Sequence, residues 1–326
     1  MEHVKQFISW VGGAVAGLSI LFYAAGYLVY RAHVNMLGLT GIVDYPHEQL
    51  LYEGAKFYFT VCAYLLKTFF VVGITVLLLV ILGMLLRHIG WLDRAIGRAG
   101  TSLRARIATW NARRPALLRA VVLALLALLF VLHTDRFFYP LEDLYTGIEN
   151  LLYTKPAAEF APRCTVGSAP GERPDDMVSA VTTWLQQGER CRPQLLGEFR
   201  RLLAGYLLLL VAGYFALTYR ELRHTAVYRA GTVTLVVYGV LYTLLLPVAF
   251  GVLVRSPVYP YVVVKKDGAG VASSARHLLH RQENALLVWD PAARKATWMR
   301  ADTAVVEIDV LGQANLFSRI RQDGMP

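Results

Sequence analysis

The residues whose types could do chemistry are few in this 326-residue chain. Three are cysteines. Cys164 and Cys191 fall in one polar segment, without C-x-x-C or other metal spacing, and read as a disulfide if that segment meets an oxidising compartment. Closing a loop of that length would contribute about 3.5 kcal/mol in the chain-entropy model. Cys62 lies in an apolar run and reads as a small buried hydrophobe. Lys67 interrupts the same run, where an ammonium costs roughly 2.5–3.5 kcal/mol near a bilayer centre. It either marks the edge of a membrane span or faces a polar cavity. Tyr23, Tyr27, Tyr64, Tyr206, Tyr214, Tyr238 and Tyr242 supply hydroxyls that could serve such a cavity.

His277 and His280 stand three apart in RHLLHR, which reads as a strand. Positions three apart on a strand face opposite sides, so joint metal ligation is not expected. Asp44, His47, Glu48 and Glu53 form the one polar cluster near an apolar run, and read as surface loop. No nucleophile elbow, zincin, phosphate-loop or dinucleotide motif occurs in a fitting context. No catalytic residue, metal site or cofactor is expected.

The elements that must position these residues follow from composition. Hydrophobic residues make up 56% of the chain and charged residues 17%. Mean hydropathy is +0.44. Soluble domains sit nearer ~45–50% apolar and ~25% charged. The composition therefore excludes a disordered chain, a nucleic-acid-binding domain and an ordinary soluble enzyme, and it points to a polytopic membrane protein. A crossing helix needs about 20 apolar residues. Five stretches qualify: 7–30, 57–86, 116–133, 202–219 and 230–254. None contains Asp or Glu, which demotes ion-coupled transport. Gly13 and Gly17, beside Gly12, have the spacing of close helix packing, and Pro247 predicts a kink in the last span.

Orientation follows from basic residues in short loops. The 87–115 connection carries Arg87, Arg94, Arg98, Arg104, Arg106, Arg113 and Arg114 against Asp93 alone. It should lie on cytoplasmic headgroups as an amphipathic helix with an Ile89 to Trp110 apolar stripe. The 134–198 segment has six basic and ten acidic residues, the opposite bias. The N-terminus is thus placed in the cytoplasm and the C-terminus outside. Arg outnumbers Lys 26 to 7 in an Ala- and Leu-rich chain, which suggests a GC-rich bacterial genome and an inner membrane.

The chain accordingly divides into 1–133 (three membrane helices and the basic loop), 134–198 (an external segment), 199–255 (two membrane helices) and 256–326 (a small external β domain). In the external segment Phe138, Leu141, Leu144, Tyr145, Ile148, Leu151 and Leu152 form an amphipathic stripe after Pro140. Residues 155–176 read as loop, and 175–187 as a short helix anchored by Trp184. After Pro257 the period changes from 3.6 to 2, predicting four or five antiparallel strands, with Val306, Ile308 and Val310 on one face of the last. The fold class is a membrane all-α bundle of five transmembrane helices with a small C-terminal antiparallel β domain outside the membrane. The expected partners are the lipid bilayer and either further copies of the chain or another envelope protein, with no nucleic acid. The leading function is non-enzymatic, anchoring the β domain for interaction or assembly. A channel or passive transporter is the first alternative, and a membrane enzyme acting on lipid the second.

Overall fold

The computed structural model describes residues 2–43, 46–87, 115–154, 177–218, 226–265, 275–300 and 307–317. Its helices are α1 Glu2–Leu37, α2 His47–Arg87, α3 Pro115–His133, α4 Tyr139–Gly147, α5 Met177–Gln187, α6 Arg192–Thr218 and α7 Ala226–Leu253. A π-helical turn, Thr134–Phe138, joins α3 to α4, and a 3₁₀ turn, Gly188–Cys191, joins α5 to α6. Strands β1 Val258–Lys265, β2 Arg276–Arg281, β3 Ala285–Asp290, β4 Lys295–Arg300 and β5 Glu307–Asn315 follow. The molecule is mostly helical with a C-terminal five-stranded antiparallel sheet.

Among the described residues, four helical stretches are long and apolar enough to cross a membrane: Gly12–Leu37, His47–Met84, Leu123–Gly147 and Tyr228–Leu253. The sequence predicts five. The exception is α6. Glu198, Arg200 and Arg201 stand near its start, so its uncharged part begins at Leu202. The described helix ends at Thr218, about 25 Å further on at 1.5 Å per residue. In α2 no residue of the most apolar window is buried, as for a helix surrounded by lipid rather than by its own chain. Cys62 lies on this outer surface, exposed rather than buried. Arg87 closes α2; Arg94, Arg98, Arg104, Arg106, Arg113 and Arg114 lie outside the described residues, as does Cys164.

Helix α1 continues seven residues past the expected end at Tyr30, and α2 starts ten residues before Phe57, directly after Pro46. Much of the predicted 31–56 loop is therefore helix. Its polar residues are compatible with helix because they find partners inside the protein. A proline at a helix threshold costs little, since the first N–H groups lack intrahelical acceptors anyway.

The chain forms two compact units. The first comprises Met1–Phe57, Tyr139–Leu203 and Thr243–Pro326, and the second Tyr58–Phe138 and Ala204–Tyr242. In the first, α1 and α2 touch backbone to backbone. A Cβ on Gly26 would lie 1.7 Å from the Leu50 carbonyl oxygen, and one on Gly54 would lie 1.8 Å from that of Phe22. Gly251 of α7 abuts the Val29 carbonyl in the same way, at 2.2 Å. The glycines picked out by spacing, Gly12, Gly13 and Gly17, meet nothing within 4 Å. Spacing identifies a small-residue stripe; only the crossing point decides which glycines are used.

The α4 stripe behaves largely as its periodicity predicts. Leu141, Leu144, Ile148, Leu151 and Leu152 are buried, while Tyr145 is exposed. Gly147 of α4 meets Val178 of α5, whose Val181, Trp184 and Leu185 are buried. This segment packs on protein.

The sheet order is β4-β3-β2-β1-β5, every neighbouring pair antiparallel. Val262, Val264, Leu286, Val288 and Met299 form a cluster on one face, with Leu278 and Ile308 packed against it. Val310 pairs with Val262 beyond Ile308 but remains exposed, and Val306 is outside the described residues. The other face carries Tyr261, His277, Leu287 and Trp289. Tyr153 meets Trp289 edge-on at 5.4 Å. Arg294, in the β3–β4 turn with φ 50°, donates to the carbonyls of Leu152 and Thr154. These contacts tie the sheet to the segment after α4.

Candidate functional site

Arg255 lies in the four-residue passage between the end of α7 and the start of β1. Its Nε donates to Glu53 Oε1 of α2 at 2.9 Å, and both side chains are less than a tenth exposed. The guanidinium carbon sits 4.9 Å over the Tyr30 ring of α1, and Nη1 is 3.5 Å from the Tyr259 hydroxyl of β1. His33, one helical turn from Tyr30, stacks on Tyr259 with ring centroids 6.3 Å apart. Its Nδ1 is 3.2 Å from the Gly251 carbonyl oxygen. A carbonyl can only accept, so Nδ1 carries the proton and Nε2 a lone pair. Phe250 is contacted edge-on by Phe57 and by Phe199, closing an apolar wall.

The close glycine crossings explain why the pair can meet. Only with backbones in contact at Gly26, Gly54 and Gly251 do α1, α2 and the end of α7 bring Tyr30, Glu53 and Arg255 to one point. Burial by itself would lower the Arg255 pKa; Tyr259 and Glu53 outweigh it and raise it, so the residue is a permanent cation. Two acceptors make no hydrogen bond, Glu53 Oε2 and His33 Nε2. The cluster holds one guanidinium, one carboxylate, two tyrosines and one histidine. Its contacts join α1, α2, the end of α7 and β1 in a bracket. No protein-family model, curated protein or solved structure matches the chain.

A second polar cluster lies within the other unit. His133 Nδ1 is 2.8 Å from the Tyr238 hydroxyl. Tyr206 donates to the Gly239 carbonyl at 3.0 Å and stacks on Tyr242 at 4.5 Å. His133 itself lies 5.5 Å from the Tyr242 ring. Phe137, in the π turn, fills the space over Gly205. Three tyrosines named from sequence therefore converge, but on His133 and not on Lys67. Lys67 is exposed on α2, in the same stretch as exposed Leu66, Phe69 and Phe70. Tyr214 is exposed, Tyr27 accepts from Arg31, and Tyr23 lies 3.2 Å from His47 Nδ1.

The acidic cluster dissolves. Glu53 turns into the bracket, His47 to Tyr23, and Asp44 lies outside the described residues. Cys191 is buried at the end of the 3₁₀ turn. Among the described residues no three His, Cys, Asp or Glu group to hold a metal. A register shift between Leu278 and His280 upsets the strict alternation assumed for RHLLHR. His277 pairs with Trp289 and His280 with Leu287, which share a face, and each histidine meets a different aromatic, Tyr261 or Trp298. Arg255 and His33 were missed. Their one local signal is a polar residue next to an apolar helix end, which is common.

His277 has no exposed surface and neither ring nitrogen makes a hydrogen bond. Burial pushes its pKa down to about 4. The unfolded chain binds a proton near 6.5 that the folded sheet refuses. The contribution is complete above pH 6.5, falls as pH drops from 6.5 towards 4, and levels below that. The slope is at most about 1.4 kcal/mol per pH unit. Thermal melts followed by tryptophan fluorescence should show this acid loss in the native protein and a flatter profile in His277→Phe. Equal slopes would exclude His277 as the source.

Proposed function

We propose that this is a non-enzymatic protein of a bacterial inner membrane that holds its C-terminal sheet outside the cytoplasm for contact with an assembly partner. The bracket at Arg255 carries the reading. A free tether would leave the passage from α7 to β1 exposed, whereas here a buried ion pair fixes the first strand to three helices. Display of a folded surface in a fixed orientation is the simplest use of such a joint. The charge bias of the loops supports a cytoplasmic N-terminus, a fifth crossing through α6, and lipid contact by the 87–115 arginines. An oxidising outer compartment goes with a Cys164–Cys191 disulfide. Single cysteines placed at 87–115 should be protected from an impermeant thiol reagent in intact cells, and those in 256–326 labelled. The reverse pattern would put the sheet in the cytoplasm and end this reading. Crosslinking in cells through 256–326 should recover a partner; recovery of the monomer alone would also end it.

The His133 cluster favours a second reading, a channel or passive transporter. Ionisable and hydroxyl groups inside an apolar helix set commonly line polar paths. Reconstituted liposomes decide it: flux lost in His133→Leu would support the channel, and silent bilayers at high protein density would remove it.

A further inference from the structure

We propose that a cleft between the 3₁₀ turn, the head of α6 and the α7–β1 passage binds a phosphate oxyanion, and that its walls fit the phosphate of a lipid headgroup. The site does not depend on the compartment assigned to the sheet.

Gly188, Glu189 and Arg192 line one side of the cleft, Arg255 and Ser256 the other, and Asn315 of β5 one end. All belong to the first compact unit. Gly188, at φ 67°, lets the turn close on β5: a Cβ there would lie 3.0 Å from the Asn315 amide nitrogen. Asn315 is itself fixed by the Phe317 N–H, which donates to its Oδ1 at 2.9 Å. The cleft is small and open on one side, so it seats the end of a ligand and does not enclose a whole molecule.

Two arginines meet there with donors to spare. Arg255 is 8% exposed, and the bracket uses only its Nε and Nη1. Nη2 is left with two N–H donors and no acceptor among the described residues, and it is not sealed from solvent. Arg192 has half of its side chain exposed, and its one partner among the described residues is Glu189, at 3.5 Å. Glu189 Oε1 is also 3.5 Å from the Ser256 hydroxyl. This carboxylate therefore lies across the cleft, more than half exposed, and too far from either donor for a strong bond. It stands where an incoming oxyanion would. A planar carboxylate has two oxygens to offer. A tetrahedral phosphate has more, and can accept from both guanidinium forks and the Ser256 hydroxyl together once Glu189 swings outward.

The apolar wall selects the source of the phosphate. Leu195 and Leu253 line the cleft beside the arginines. Leu253 ends a stretch long and apolar enough to cross a membrane. Oxyanion donors thus stand directly beyond the apolar end of a spanning helix, the level at which lipid phosphates lie, and basic pockets at helix ends take lipid headgroups. A free phosphate would use the same donors and leave the apolar wall idle.

Full-length protein stripped of lipid in a neutral detergent would be titrated with phosphatidylglycerol, counted by native mass spectrometry, and separately with inorganic phosphate, followed by calorimetry. One phosphatidylglycerol should bind, and Arg192→Gln should weaken it about tenfold, as for loss of one charge-assisted hydrogen bond. Glu189→Gln should bind more tightly, because the competing charge is gone; a misfolded variant would not gain affinity. Arg190→Gln, in the same turn but outside the cleft, should bind like wild type. Inorganic phosphate bound with the same pattern of variants, and no lipid bound, would keep the site and name free phosphate as its ligand. Binding of neither would overturn the proposal. So would binding that Arg192→Gln or Glu189→Gln leaves unmoved, or an equal loss in Arg190→Gln and Arg192→Gln, which would show only a general attraction to basic residues.

Discussion

Removing either member of the Glu53–Arg255 pair should cost the first unit about 3–5 kcal/mol, because it strands a charge at a site where both side chains are less than a tenth exposed. Glu53→Ala should be the harsher test of the two charges' dependence, since Arg255 would keep only the Tyr30 face and the Tyr259 hydroxyl. The buried pair itself is not a large net source of stability. Coulomb attraction in the interior is offset by the desolvation of both ions. Hence Glu53→Leu combined with Arg255→Met should lose less than either single change. The measurement is a double-mutant cycle on thermal unfolding in detergent, read through Trp289. Single variants within 1 kcal/mol of wild type would mean that the pair is solvated and the bracket idle.

The second large effect is at the helix crossing. Gly54→Ala would put a methyl carbon 1.8 Å from the Phe22 carbonyl oxygen, well inside contact distance. The obstacle is backbone, so rotamer changes cannot relieve it and the helices must separate. Overpacking ordinarily costs about 1–3 kcal/mol; a backbone clash belongs at or above the top of that range. Gly26→Ala should behave alike, because the two contacts are reciprocal. Gly13→Ala and Gly17→Ala, in open space, should be neutral or stabilising by up to about 1 kcal/mol through helix propensity. Limited proteolysis and melting of the four variants would separate the pairs. Equal losses at Gly17 and Gly54 would show that the crossing lies elsewhere.

What was legible in the sequence was what repeats locally. The apolar runs of α1, α2, α3 and α7 announce themselves by length, and the strands by their change of period after Pro257. The buried face of α4 was visible because Leu141, Leu144 and Ile148 recur at helical steps. The ends of α1 and α2 were not. Residues 31–37 and 47–56 mix polar with apolar types, a pattern that suits loop, interface or packed helix equally well. Glu53 and Arg255 are 202 residues apart, and nothing in the neighbourhood of either announces the other. The histidines of RHLLHR were misplaced for a related reason. Alternation along a strand holds until a bulge, and a bulge depends on the partner strand. His133 was hidden as the last residue of an apolar run, where its neighbours in sequence say nothing of Tyr238 and Tyr242.

The separation of Glu53 from Arg255 also sets a clock. A ribosome adding about 5–20 residues per second delivers the arginine roughly 10–40 s after the carboxylate. Through that interval α1 and α2 exist without the cation that neutralises them, so a nascent chain halted before residue 255 carries an uncompensated acid beside its first two helices. Arrival of the cation follows the end of the last apolar helix and precedes the first strand by three residues. Completion of the last apolar helix is therefore marked by a buried ion pair before the sheet begins.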